Sequence, residues 1–442
     1  MLRMRRVMTH CRAIGFQRAL VCTGPGNTLD CKIVVVGGGT AGCAAAAALS
    51  QKFPEQVAIV EPAIVHHNQP MWTLVGAGIK RLEETRRAMA AVLPSQAQWV
   101  RSSLKEVCPE RNFLVTTDMQ RINYDYLVMA CGLSIDYSAI KGLPDALATP
   151  YVSTNYSPTL CAKTWDCLQR LESGNAVFTY PTGPVKCGGA GQKITYMAED
   201  YFRATGKRDN ITVIYNTALP RIFGAAYYAD ALEPMCAQRG IQVNLGLDLV
   251  EVRSASREAV FKKVGAIEGL MEVVQPYDFL HVVPKQAPHA FLKDSDLVDS
   301  TGFVDVNPST LQHSKHQNVF ALGDCSNLPT SKTAAAVSAQ LPVLLQSLQA
   351  VIEEREPMAV YNGYTSCPIT TRKGKVMMCE FDYQGMPCET FPGLDQRNES
   401  KLMWFVKTVA LPYSYWNILL KGWAPWRQIP RRISQIGKPN TP

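Results

Sequence analysis

The sequence predicts an α/β fold in which two Rossmann-like units stand in tandem, followed by an amphipathic C-terminal region. Three observations predict it. A β-branched strand runs straight into a glycine turn, Lys32-Ile33-Val34-Val35-Val36-Gly37-Gly38-Gly39; a second strand–helix–strand pattern runs from Ala176 to Tyr215; and the chain from Lys401 onward is basic, aromatic and free of acids. At roughly 100–200 residues per domain, 442 residues make two to four domains with ample core. Hydrophobic residues at 47%, charged at 19%, with Gly 30 and Pro 28, exclude collagen, coiled coil and disorder. A mean hydropathy of −0.06, with no apolar run near the ~20 residues of a spanning helix, argues against a polytopic membrane protein. The net charge of +8 is too diffuse for a nucleic-acid binder, and 14 Cys with no repeated CxxC spell neither a disulfide scaffold nor a metal site.

Along the chain, residues 1–29 carry Arg3, Arg5, Arg6, Arg12 and Arg18 and no carboxylate, which reads as a mitochondrial targeting segment. Structure then begins at Cys31. The strand Lys32–Val36 is apolar on both faces, as a buried parallel sheet requires. The turn Gly37-Gly38-Gly39-Thr40-Ala41-Gly42 opens an alanine-rich helix, and the strand Val57–Val60 ends on Glu61, nineteen residues past Gly42. In that context GxGxxG is a dinucleotide fingerprint. Gly37 makes the turn, Gly39 admits a pyrophosphate to the helix N-terminus, Gly42 lets helix and strand pack, and Glu61 accepts ribose hydroxyls.

The second unit comprises the strand Ala176–Tyr180, a helix over Gln192–Phe202 and the strand Ile211–Tyr215. Its intervening loop, Pro181 to Gly191, contains two prolines and no dinucleotide fingerprint, and the following strand ends on Asn216 rather than an acid. NAD(P)H is therefore not expected as the electron donor. Tyr124-Asp125-Tyr126-Leu127-Val128-Met129-Ala130-Cys131-Gly132 resembles the hydrophobic-run-plus-ATG segment of two-dinucleotide-binding-domain flavoproteins, with Cys for Thr. Val319-Phe320-Ala321-Leu322-Gly323-Asp324 resembles their second flavin fingerprint and precedes a small-residue helix, Thr333–Gln340. Together these favour FAD over NAD.

Cys187 is read at a helix start, with Lys186 beside it and Lys193 one turn on, a setting that lowers a thiol pKa. Cys367 is read in a loop stiffened by Pro368. Taken singly, each is more readily buried filler. In combination, Pro184-Val185-Lys186-Cys187, Thr365-Ser366-Cys367-Pro368, Glu380-Phe381-Asp382-Tyr383, the run Gln69 to Gly78 and the run Gly323 to Thr333 resemble the mitochondrial sulfide:quinone oxidoreductases from about Cys31 to Lys421. One departure is Gly188-Gly189-Ala190-Gly191, where that family suggests Ala-Gly-Ala-Pro.

The resemblance implies a reaction. A disulfide or trisulfide joins Cys187 and Cys367 at rest; sulfide attacks it, leaving a persulfide on Cys367; and the Cys187 thiolate forms an adduct at the flavin C4a. Two electrons reach FAD and then ubiquinone, and the sulfane sulfur passes to glutathione, sulfite or cyanide. FAD contacts are implied at Gly39, Thr40, Glu61, Gln69, Leu104 (through its backbone, to adenine), Asp324 and Lys332, the last as a cation near the isoalloxazine. The remaining thiols, and the pair His66 and His67, are read as packing.

Quinone is lipid-soluble. From Lys401 the tail has seven Lys/Arg, no Asp/Glu and four of the seven Trp, with apolar runs at Leu402–Val406 and Leu411–Leu420. This pattern suits monotopic insertion at the mitochondrial inner membrane, with a helix pair packed on the protein as the alternative. Phe381, Tyr383, Phe391 and Tyr413 are candidate quinone walls, and a homodimer is left open. The expected division is leader 1–29; FAD-binding parts 30–165 and 291–350; a second Rossmann-like domain 166–290; a redox-cysteine and quinone segment 351–400; and a membrane anchor 401–442. Rival readings are a type II NADH:quinone oxidoreductase, a sulfide dehydrogenase serving cytochrome c, and a non-catalytic flavin-binding membrane protein.

Overall fold

A computed structural model describes residues 28–265, 272–293, 295–391 and 393–423. The predicted leader up to Asn27 and the tail beyond Trp423 lie outside the described residues.

The first sheet holds β1 (Thr28–Val36), β2 (Val57–Val60), β3 (Ala97–Val100), β4 (Leu104–Cys108), β5 (Phe113–Thr116) and β6 (Arg121–Met129), in the order β3-β2-β1-β6-β5-β4. A late strand, Val319–Ala321, pairs in parallel with the C-terminal half of β6. The strands β3, β2, β1 and β6 are parallel, and β4–β5 is an antiparallel addition. Burial on both faces explains the unbroken Ile33–Val36 run, none of it more than 3% exposed. β1 begins at Thr28, three residues ahead of the expected Cys31 and inside the stretch assigned to the leader.

Helix α1 (Thr40–Lys52) follows the glycine turn, and its alanines are buried except Ala48, which is half-buried. Small side chains let it approach both the sheet and helix α3 (Ala334–Ile352, labelled in chain order after α2 below). Gly37 adopts φ +103°, and a Cβ on Gly42 would lie 1.7 Å from the Gly37 carbonyl oxygen, so both glycines are sterically required.

The second sheet is parallel throughout: β7 (Val152–Ser153), β8 (Gly174–Tyr180), β9 (Ile211–Thr217), β10 (Gln242–Leu245) and β11 (Phe279–His281), ordered β7-β11-β8-β9-β10. Helix α2 (Ala190–Ala204) connects β8 to β9 and extends two residues beyond the expected span at each end. The loop between β8 and α2 is committed elsewhere. The Thr182 N–H and hydroxyl donate to Asp248 at 3.2 and 2.6 Å, and the Cys187 N–H donates to the Lys332 carbonyl at 2.8 Å. This loop reaches across to the first domain's cavity.

Two local readings need correction. Cys367 lies on a strand, β12 (Thr365–Arg372), paired with β13 (Lys375–Phe381), and not in a loop. The sheet has only two strands, so Pro368 can do without an N–H. Second, α3 has 19 residues at mean hydropathy 1.4, an apolar helix longer than any run the sequence suggested. It is a core helix, 56% buried, and Gln340 accepts the Gly323 N–H at 2.8 Å.

The tail forms α4 (Lys401–Phe405), a π turn (Val406–Ala410) and α5 (Leu411–Asn417), with Ser400 capping the start. One side packs into the core through Tyr415, Trp416, Leu419 and Leu420. Gly422 sits against α1, where a Cβ would fall 2.4 Å from the Ala48 nitrogen. Leu402, Phe405, Val409 and Tyr413, spaced at helical intervals, point to solvent and are 48–66% exposed.

Candidate active site

A cavity of about 370 Å³ runs from the first glycine turn to the tail helices. Its walls include Gly39, Thr40, Gln69, Cys131, Asp324 and Lys332, then Lys186 and Cys187, and finally Phe391, Lys407, Leu411 and Tyr415. Sequence-distant segments meet here because both βαβ units deliver their first loops to the same side.

At one end the dinucleotide loop is built as expected. Gly39 caps α1, with no atom within 4 Å of where its Cβ would stand, leaving the helix N-terminus open to phosphate. Thr40 Oγ1 and the Tyr415 hydroxyl lie 2.9 Å apart. Glu61 also ties down the loop itself. Its Oε2 accepts the Gly38 N–H at 2.5 Å and its Oε1 the Ala63 N–H at 2.6 Å, and Glu61 is absent from the cavity wall. A Cβ on Gly38 would strike the Glu61 side chain at 2.4 Å, which gives the middle glycine a reason the motif alone did not supply. Leu104 is buried on β4 and also does not line the cavity.

Asp324 and Lys332 face one another. Burial pushes the Asp324 carboxyl upward against the pull of Lys332 and Lys186. Lys332 donates to the Ser326 carbonyl at 2.9 Å and lies 4.4 Å over the Phe303 ring. The fit to a large polar cofactor has independent support. Asn155 is 4% exposed on this wall, and both atoms of its side-chain amide lack a hydrogen-bond partner. Such groups are costly unless a ligand satisfies them.

Cys187 Sγ and Cys367 Sγ stand 3.8 Å apart, though 180 residues separate them in sequence. Cys187 sits three residues ahead of α2 in a left-handed conformation, φ +59°, uncommon for a residue with a side chain. Gly189 is the hinge of this arrangement, since a Cβ there would lie 2.7 Å from Cys367 Sγ and 2.3 Å from Ile369 Cδ1. Glycine at 188 is not so constrained, and the departures at 188 and 191 leave the helix start at Ala190.

The electrostatics also differ in detail from expectation. The Cys187 thiol is held well below its usual pKa, first by the Cys367 S–H and then by Lys193, whose Nζ donates to Cys187 Sγ at 3.1 Å, with Lys407 adding charge. Cys367 is pushed up by its interaction with Cys187 and by burial. Lys186, the sequence neighbour, turns to Asp324 and is not among the cations acting on Cys187.

Lys407 was assigned to a membrane anchor by sequence, yet it is 7% exposed, donates to the Pro70 carbonyl at 3.2 Å, and is pushed down to about 8 by burial and by Lys193. The π turn ahead of Pro412 carries it inward, and no hydropathy pattern encodes that. Of the four aromatic candidates for a quinone wall, only Phe391 lines the cavity. Phe381 packs on Phe223, Tyr383 on Tyr361, and Tyr413 faces solvent. His66 is buried between the Gly38 carbonyl (2.9 Å) and the Tyr415 hydroxyl (2.8 Å), and burial lowers it to about 4.

Residues 31–340 match the pyridine nucleotide-disulphide oxidoreductase family. The chain is similar to the mitochondrial sulfide:quinone oxidoreductase of Mus musculus, with 44% identity over 92% of this chain and 90% of the relative. The mitochondrial enzyme of that name from Dictyostelium discoideum is 42% identical over 88% and 86% respectively. Among solved structures, the sulfide:quinone oxidoreductase of Aquifex aeolicus shares the fold, with TM-score 0.73 and 17% identity over 90% of this chain and 92% of that one.

Proposed function

The chain belongs to the pyridine nucleotide-disulphide oxidoreductase family and, within it, to the mitochondrial sulfide:quinone oxidoreductases, and from that premise we propose that Cys187 and Cys367 carry its oxidation of sulfide. It is an FAD-dependent oxidoreductase that takes electrons from sulfide and gives them to a quinone. The observation supporting the residue assignment is the 3.8 Å approach of the two thiols on the wall of the dinucleotide cavity.

Gly39, Thr40, Gln69, Asp324 and Lys332 would hold FAD, which when bound supplies a two-electron acceptor between thiolate and quinone. Everything else falls to the protein. With the pair bridged, hydrosulfide attacks one sulfur and the other departs as thiolate. The leaving sulfur is the one whose anion is better stabilised. That is Cys187, with Lys193 at 3.1 Å and Lys407 beyond. Attack therefore falls on Cys367: the new S–S bond forms there, the old one breaks, and Cys187 keeps its electron pair. The persulfide sulfur then moves to a small nucleophile of the glutathione, sulfite or cyanide class.

Anaerobic titration with sulfide should bleach the flavin at one sulfide per FAD, and added ubiquinone should restore its colour. NADH should do neither, because the β8–α2 loop is spent on Asp248 and Lys332. Bleaching by NADH but not by sulfide would overturn the assignment.

We place the protein on the mitochondrial inner membrane, docked by the exposed stripe Leu402, Phe405, Val409 and Tyr413, with Trp423 at the edge. Because the opposite side of these helices is core, deleting the tail would expose Trp416 and Leu420 and test stability rather than docking. Phe405→Glu with Val409→Glu is the cleaner variant. It removes about 3–6 kcal/mol of apolar burial in lipid and should lower sedimentation with cardiolipin-containing vesicles at least roughly 100-fold, leaving FAD content unchanged. Undiminished sedimentation would refute the stripe as the docking face.

A further inference from the structure

Gly39, the residue left open to phosphate, stands between two tied neighbours. The Gly38 carbonyl meets His66 Nδ1 at 2.9 Å, the Tyr415 hydroxyl meets His66 Nε2 at 2.8 Å, and Thr40 Oγ1 lies 2.9 Å from that same hydroxyl. These bonds leave the dinucleotide loop at Gly38 and return to it at Thr40. On the way they pass through a side chain of the tail.

Their directions follow from what each atom can do. A carbonyl only accepts, so His66 carries its hydrogen on Nδ1. Burial keeps the ring neutral, with its pKa lowered to about 4, so Nε2 offers a lone pair and Tyr415 donates to it. The His67 carbonyl, 3.4 Å from the Tyr415 hydroxyl, is too distant to compete. With its one hydrogen spent, the Tyr415 oxygen accepts from Thr40. Thr40 is the first residue of α1, and no side chain caps that helix. A threonine hydroxyl can turn on nearby backbone groups. Held on Tyr415, this one leaves the first N–H groups of the helix to a phosphate.

The tail also grips α1 at its far end. Gln51 donates to the Lys421 carbonyl at 2.9 Å, and Gly422 lies against Ala48. Leu411, Pro412 and Leu419 join Tyr415 on the cavity wall that holds Gly39 and Thr40.

We propose that Tyr415 is a positioning residue for FAD: its hydroxyl, oriented by His66, fixes Thr40 in the first turn of α1, so that the closed tail latches the cofactor in place. The inference rests on Gly39 and Thr40 holding FAD and is independent of the cysteine assignment.

The test follows release of FAD from the full-length holoenzyme after dilution, read as the flavin absorbance that stays with the protein on gel filtration. Tyr415→Phe keeps the ring packed on His66 and Trp416 and removes only the hydroxyl. Release should quicken roughly 10-fold. Thr40→Val should quicken it to a similar extent. Adding Tyr415→Phe to Thr40→Val should then change it less than about twofold, because the two hydroxyls act as one unit. Gly39→Ala, whose methyl meets no protein atom within 4 Å, probes the loop itself and should also speed release. Unchanged release in Gly39→Ala would take FAD off this loop and the proposal with it. Fast release in Gly39→Ala but wild-type release in Tyr415→Phe would overturn the latch alone. A full Tyr415→Phe effect in the Thr40→Val background would overturn it too, since Tyr415 would then act through some other group.

Discussion

Cys187→Ser should abolish flavin bleaching by sulfide, with a rate loss at least on the order of 10⁴-fold. The expectation follows from the geometry around this sulfur. Serine cannot form the bridge to Cys367 that hydrosulfide opens, and its hydroxyl is not ionised by a lysine in the way a thiol is. The residues assigned to hold FAD, Gly39, Thr40, Gln69, Asp324 and Lys332, belong to other segments of the cavity wall, so bound FAD should be retained. The variant does leave Lys193, only 4% exposed, without its anionic partner, and some loss of thermal stability should accompany the loss of rate. Stopped-flow absorbance after sulfide mixing, with FAD content measured in parallel, decides the matter. Wild-type bleaching by a fully loaded Cys187→Ser enzyme would remove Cys187 from the reaction.

Lys193→Met should give the second-largest effect. A charge-assisted hydrogen bond of this kind contributes about 2–3 kcal/mol, or roughly 30- to 150-fold in the sulfide half-reaction. The sign in pH is fixed by the chemistry. Removing the cation disfavours the thiolate, so the pH profile for alkylation of the reduced protein at Cys187 should move to higher pH. Lys407 limits the loss. It is held at about 8 by burial and by repulsion from Lys193; with Lys193 gone the repulsion vanishes, and Lys407 stays charged to higher pH. The double variant Lys193→Met, Lys407→Met should accordingly lose more than Lys193→Met alone. An alkylation profile that does not shift would show that Lys193 does not set the thiol's ionisation.

Much of this was legible along the chain because it is local. A strand buried on both faces has to be a continuous β-branched run, and a turn with φ near +103° needs glycine, so Val34 to Gly42 announces its own structure. Glu61 shows what local reading leaves out: its distance from Gly42 suits a ribose contact, and its oxygens also accept from the backbone of Gly38 and Ala63. Lys186 misled, since adjacency in sequence says nothing about which way a side chain turns. The tail misled by averaging: a basic, aromatic composition describes its outer face, while the inner face contributes Lys407 and Tyr415 to the cavity.

The sequence by itself determined the two βαβ units, the dinucleotide fingerprint and the lack of a second one, because hydrophobic periodicity and glycine geometry act within a few residues. Only the tertiary structure decided which charges surround Cys187, that Gly189 makes room for Cys367, and that Tyr415 in the tail reaches Thr40 in the first glycine turn. These are contacts between groups tens to hundreds of residues apart, and their distances exist only once both sheets have packed and the tail has closed over the helix that follows the first strand.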